Sequence, residues 1–372
     1  MRICMLSWRG STHPKAGGAE TYTKMLLEGL QARGHEVLWY VGDPGPERRV
    51  SKTVGGVPLV YGAAGMRVYW SGHQWIRRHA AEFDIVVDQL NTFGFLAPAV
   101  TKPVVALIHQ LAMDVWDYEC PPGISQAGRL IEQWVLRQYR HTPFVTVSPS
   151  TLTDLRAHGW NGPGAVIPNV LESVAPRVGG TRAPNPTLVF LGRFASRAKR
   201  LDHAVAIFRR VRRTIPTAQL WVIGRGQPPR WLHREPGVTI YANVSAEERD
   251  ALLASAWGLI ATSVREGWGR MVMEAAAQGT PAVVYDVPGL RDAVVSEETG
   301  IIVPPKVDIA AAAILCLWRN PVLMQQLGEA ALCHVSRTGR TQFIAGWEAV
   351  LQDVIRKSNL ETRRVGTHSA LG

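Results

Sequence analysis

Long apolar runs are missing from this chain of 372 residues: no stretch of 18 uninterrupted apolar residues occurs, so no segment has the length a membrane-crossing helix needs. The first apolar stretch, residues 3–8, is too short and wrongly flanked for a signal peptide, and a cytoplasmic protein is expected. Cysteine is scarce. Cys4, Cys120, Cys316 and Cys333 stand far apart without a C-x-x-C pair, which excludes a disulfide framework or a cysteine zinc site. Neither D-x-D nor H-E-x-x-H is present, so the motifs that usually hold a metal are absent and no metal is expected. No repeat or low-complexity tract breaks the pattern.

Positive charge is what the chain has in excess. Its net charge of +11 favours anionic partners such as nucleotide diphosphates, anionic lipid or nucleic acid. The first 180 residues carry 17 Lys+Arg against 14 Asp+Glu, and the remainder 24 against 16, so the surplus lies in the second half. The basic stretches there lack interleaved aromatics, which argues against nucleic acid.

Short β-rich runs at 2–7, 36–41, 84–88, 103–108 and 144–147 alternate with helical patterns at 19–33, 66–82 and 127–140. The alternation stops in a Pro- and Gly-rich linker at 176–186. It restarts with strands at 187–192, 218–223, 238–241, 257–262 and 281–285 and helices at 200–214, 245–255, 271–279 and 307–319. This spacing predicts two α/β domains, 1–175 and 187–340, each on a parallel sheet and facing one another across a cleft. Helix is expected from Pro321 to about Lys357, with a frayed tail beyond.

In such sheets ligands collect where strands end, which makes four segments candidates for chemistry. The richest runs from Glu266 to Glu274: Gly267 and Gly269 permit a turn between a buried strand and a helix, Glu266 falls on the loop, and Glu274 falls within the helix. A carboxylate accepts hydrogen bonds from vicinal hydroxyls, so one Glu can hold a hexose and the other a ribose, while free N–H groups at the helix start face phosphate. The bland alternative is two solvated glutamates beside a turn. Strand 187–192 leads into Gly192-Arg193, with Lys199 six residues on, and both cations can reach one diphosphate. A surface basic loop is the competing reading.

The third segment, Gly17-Gly18-Ala19-Glu20, opens a helix with exposed N–H groups but lacks the G-x-G-x-x-G spacing of a dinucleotide site. The fourth is His109, at the end of a central strand, with Asp114 following. Between Met66 and Ala80, Trp70, Trp75 and Ile76 alternate with Arg67, Arg77 and Arg78. That segment either packs beneath a sheet, the reading Gly72 favours, or lies on an anionic membrane as a peripheral contact.

Taken in order, these motifs resemble the retaining glycosyltransferases of family 4, which have the GT-B fold. The likeness spans nearly the whole chain and includes Arg33-Gly34-His35-Glu36-Val37, Ile167-Pro168-Asn169, Gly224-Arg225-Gly226 and Gly279-Thr280-Pro281. It implies transfer of a hexosyl group from a UDP- or GDP-linked sugar to an acceptor hydroxyl, without a cofactor and without a metal. Glu266 would then bind the donor sugar, Glu274 the ribose, and Arg193 with Lys199 the diphosphate. Gly267, Trp268, Gly269 and Arg270 would offer backbone N–H groups, and His109 would face the sugar. Gly17 and Gly18 would approach the diphosphate, Gly224 and Val244 would line the donor side, and the helix at about 341–357 would cross back to the first domain. Arg200 stands where the family commonly has glycine, and Arg225 and Ala242 are further departures, which leaves the nucleobase open. A sugar-nucleotide epimerase is the rival reading, with His109 and Asp114 as its acid and base.

Overall fold

A computed structural model describes residues 1–45, 53–172, 181–337 and 339–369, with side chains as far as Glu361. The chain divides into two compact units, the first formed by Met1–Ala112, Ala127–Val170 and Arg340–Gly372, the second by Met113–Gln126 and Leu171–Gly339. Residues 176–180 of the expected linker lie outside the described residues. Its end does not hang free: the Ala183 N–H donates to Ser255 O at 2.8 Å and the Trp257 indole donates to Ala183 O at 2.8 Å, both within the second unit.

The first stretch of chain gives β1 (Arg2–Ser7), α1 (Gly18–Ala32), β2 (Glu36–Gly42), β3 (Thr53–Val54), β4 (Val57–Gly62), α2 (Arg67–His79), β5 (Ile85–Leu90) and β6 (Val104–Ile108). It continues with α3 (Val115–Glu119), α4 (Ile124–Tyr139), β7 (Phe144–Thr146), α5 (Pro149–Ala157) and β8 (Gly164–Val166). The eight strands form one sheet in the order β3-β4-β2-β1-β5-β6-β7-β8. All its described pairings are parallel except β3 with β4, so an antiparallel edge modifies the purely parallel sheet that the sequence pattern predicts.

Helix α1 joins β1 to β2 in one direction across the sheet, while α2, α4 and α5 join strands in the other. Right-handed crossovers therefore place α1 on one face and α2, α4 and α5 on the opposite face. The final helix α11 (Arg340–Ser369) packs on α1, where the Trp347 indole donates to the Tyr22 hydroxyl at 2.7 Å and Phe343 meets the Tyr22 ring edge-on. That helix runs on past residue 357, so the expected frayed tail is helical as far as Ser369.

The second unit is built from β9 (Thr187–Arg193), α6 (Leu201–Thr214), β10 (Gln219–Arg225), β11 (Val238–Ala242), α7 (Ala246–Ser255), β12 (Gly258–Ala261) and α8 (Arg270–Ala277). It ends with β13 (Ala282–Tyr285), β14 (Gly300–Val303), α9 (Val307–Trp318) and α10 (Pro321–Arg337). Its six strands are all parallel, in the order β11-β10-β9-β12-β13-β14. Strands β9, β12 and β13 are nearly continuous apolar runs, as strands covered on both faces must be. Both units thus have the Rossmann-like α/β architecture.

Candidate active site

In the second sheet, successive strands run outward from β9 through β10 to β11, and the chain then returns to place β12 on the other side of β9. That reversal parts the loops after β9 and β12 and opens the kind of crevice in which α/β sheets bind ligands. The two loops are fastened to each other. The Thr262 hydroxyl donates to Lys199 O at 3.0 Å and Arg200 O at 2.9 Å, and the Val264 N–H donates to Ala198 O at 2.9 Å.

Across this junction the Lys199 ammonium is ion-paired with Glu266, and the Ser263 hydroxyl donates to the same carboxylate oxygen at 2.5 Å. Both side chains are largely buried, so the pair sits where attraction is little screened. The sequence reading assigns Lys199 to a diphosphate and Glu266 to a sugar as separate groups; the structure brings them into contact. Arg193 differs. It is exposed at the end of β9, and its side chain has no partner among the described residues.

The loop between Arg193 and Lys199 also receives a carboxylate that sequence reasoning missed. Glu119, at the end of α3, accepts from the Ser196 hydroxyl at 2.7 Å and from the Ala198 N–H at 3.1 Å. Arg200, next in the chain, has φ +51° and ψ 53°, the left-handed region a glycine enters without cost, and its guanidinium lies 5.7 Å from the Tyr118 ring centre. Those contacts occupy the arginine that replaces the family's common glycine.

Gly269 holds φ +70° at the N-cap of α8, a conformation that suits glycine and that turns the chain from the Glu266 loop into the helix. The side chain of Trp268 is not at the crevice. Its indole N–H donates to Met273 Sδ at 2.7 Å, and its ring packs with Ala276, Ala277, Ala331 and Val335, so only its backbone remains for a ligand. Glu274 accepts from Arg249 at 3.2 Å and from Arg270 at 3.4 Å, both on Oε1. Arg249 lies on α7 and carries no motif, and only the fold reveals it.

Gly224 pairs with Gly192 across β9 and β10, and a Cβ there would sit 2.7 Å from Gly192 O, so close strand contact accounts for it. Val244 packs against the core just beyond β11. Both lie at the same end of the sheet as Arg193, two strands or fewer from it.

Gly17, Gly18 and His109 belong to the first unit. Gly17 caps α1, but its N–H already donates to the Glu20 carboxylate at 2.7 Å, so the exposed donor expected there is taken. His109 follows β6. Its Nε2 lies 2.9 Å from the Gln89 amide nitrogen, and the Tyr22 ring of α1 meets its imidazole edge-on at 5.0 Å. Burial pushes the imidazole down to about 4, so the ring is neutral at pH 7 and Nε2 accepts the Gln89 bond. Asp114, the rival's candidate acid or base, belongs to the other unit. Among the described residues, no group of three or more His, Cys, Asp or Glu is arranged to hold a metal.

Two family profiles match the chain in tandem: the Glycosyltransferase Family 4 profile over residues 16–172 and the Glycosyl transferases group 1 profile over residues 185–320. Together they cover most of the chain, which belongs to the family 4 glycosyltransferases of GT-B fold. Glycogen synthase of Mycobacterium tuberculosis is 26% identical over 89% of each chain. Phosphatidyl-myo-inositol mannosyltransferase of Mycobacterium leprae is 25% identical over 91% of this chain and 92% of its own. Among solved structures, sucrose-phosphate synthase of Thermosynechococcus elongatus superposes with a TM-score of 0.72 at 20% identity, covering 98% of this chain and 99% of its own. Anabaena HepE in complex with UDP-glucose does so with 0.71 at 16% identity, covering 95% and 100%. These two share the fold.

Proposed function

We propose that the protein transfers a hexosyl group from a UDP- or GDP-linked sugar to an acceptor hydroxyl, with retention of anomeric configuration and without a metal. The observation that carries this reading is the β9–β12 junction, where a free guanidinium at Arg193 stands at the strand end that the Lys199–Glu266 pair closes. A diphosphate entering there meets Arg193 first and then competes with Glu266 for Lys199. The carboxylate so released accepts hydrogen bonds from sugar hydroxyls, and Glu274 accepts those of the ribose. As the bond from the anomeric carbon to the phosphate oxygen breaks, negative charge gathers on the diphosphate and the two cations stabilise it. The acceptor oxygen bonds to the anomeric carbon on the same face, and its proton passes to the departing phosphate oxygen.

The test is turnover with UDP- and GDP-sugars across a panel of hydroxyl acceptors, following the anomer formed by NMR. Arg193→Ala is expected to lower turnover about 10²–10³-fold, the usual loss for one charge-stabilising group. Undiminished transfer by that variant overturns the assignment. A changed sugar still attached to its nucleotide, formed without acceptor, identifies an epimerase instead.

A further inference from the structure

Helix α8 is a packing helix with one exception. From Met271 to Ala277 every residue is buried except Glu274, whose side chain keeps a small exposed part. A carboxylate in so apolar a setting carries a desolvation cost that an alanine would avoid, unless partners meet it.

Two guanidiniums do, and both take the same oxygen. Arg270, one turn earlier on α8, donates to Glu274 Oε1 at 3.4 Å, and Nη1 of Arg249, on α7, donates to it at 3.2 Å. Glu274 Oε2 has no partner among the described residues. Arg249 is itself held from behind: its Nε donates to Asp250 Oδ1 at 2.8 Å, and its Nη2 lies 2.7 Å from that oxygen. The start of α7 is fixed in turn by the Ser245 hydroxyl, which accepts from the Glu248 N–H at 3.1 Å. The row Asp250, Arg249, Glu274 and Arg270 therefore pins one carboxylate oxygen from two helices and leaves the other open.

We infer that Arg249 is a positioning residue for the donor nucleotide, holding Glu274 so that Oε2 meets the ribose hydroxyls. The inference rests on the assignment of Glu274 to the ribose. Each carboxylate oxygen has two lone pairs, and the two arginines fill those of Oε1, so a vicinal diol is directed to Oε2, one hydroxyl to each remaining lone pair. An unheld glutamate loses rotamer freedom when the diol binds, whereas a clamped one has lost it already. The difference appears as affinity, and only for nucleotides that carry the hydroxyls. Arg249 acts through Glu274 and not on the nucleotide itself.

The experiment is calorimetric titration of the full chain with UDP, GDP and the 2′,3′-dideoxy form of each, for the parent, Arg249→Gln and Glu274→Ala, each first shown to be folded by circular dichroism. Arg249→Lys, which keeps the charge but cannot bridge Asp250 and Glu274 together, takes the place of the glutamine variant should that one not fold. Both variants are expected to weaken the ribonucleotide that the parent binds about tenfold and to leave its dideoxy form within about twofold. An Arg249 variant that binds the ribonucleotide as the parent does, while Glu274→Ala is weakened, overturns the inference and leaves the ribose assignment standing. Equal weakening of the ribo and dideoxy forms by the Arg249 variant gives that residue a purely structural role and overturns the inference as well. Undiminished binding by Glu274→Ala, or a parent that binds neither ribonucleotide, removes the ribose assignment and the inference with it.

Discussion

The two sheets reverse direction in the same way and equip their strand ends differently. At the β9–β12 junction the second unit gathers Arg193, Lys199, Glu266 and Glu119, with an ion pair closing the gap and both loops laced by hydrogen bonds. In the first unit the β6 strand end carries a neutral imidazole held by a glutamine amide and a tyrosine edge. One sheet end gathers charged side chains; the other carries a neutral ring. On the proposed function, an anion that must bind and then leave needs cations whose attraction is already partly met, and the Lys199–Glu266 pair would provide that.

The strongest way to break this contrast is to separate the pair. Lys199→Met leaves Glu266 largely buried with only the Ser263 hydroxyl, and a loss of about 3 kcal/mol in urea unfolding is expected. Adding Glu266→Leu should restore most of the stability while leaving transfer abolished. A harmless single variant would mean that the pair does not hold the loops.

A smaller effect is expected in the first unit, through His109. Its folded-state value of about 4 lies below the unfolded value of about 6.5. Above pH 6.5 both states are neutral and the group contributes nothing. As pH falls from 6.5 toward 4 the unfolded chain takes the proton first, so native stability declines across that window. Urea midpoints against pH should fall less steeply for His109→Gln, and coincident profiles would remove His109 as the cause. The smallest change expected is from Arg200→Gly. Relief of the left-handed conformation is worth about 1–2 kcal/mol, offset by a more flexible unfolded chain and the lost contact with Tyr118, for a net gain of less than about 1 kcal/mol by calorimetry.

Most of the layering was legible in the sequence because covered strands such as β9 and β13 are apolar runs between helical periods. Strand β4, next to the edge and half-buried with Pro58 inside it, has no such signature, and the three residues of β8 are too few to show one. The tail beyond residue 357 looks frayed by its polarity, yet α11 continues into it as far as Ser369. Glu266, Glu274 and Arg193 were legible because glycines mark the turns that carry them. The partners were not: Lys199 reaches Glu266 across 67 positions and Arg249 reaches Glu274 across 25, separations that only the folded sheet closes.

Helix α11 packs on α1 although more than three hundred residues lie between them, including the whole of the second unit's sheet. During synthesis the first unit therefore waits, with Tyr22 uncovered, until the ribosome has released the last helix. The second sheet is complete before the first unit is, and a chain stopped short of Arg340 would present that unfinished surface to every other protein in the cell.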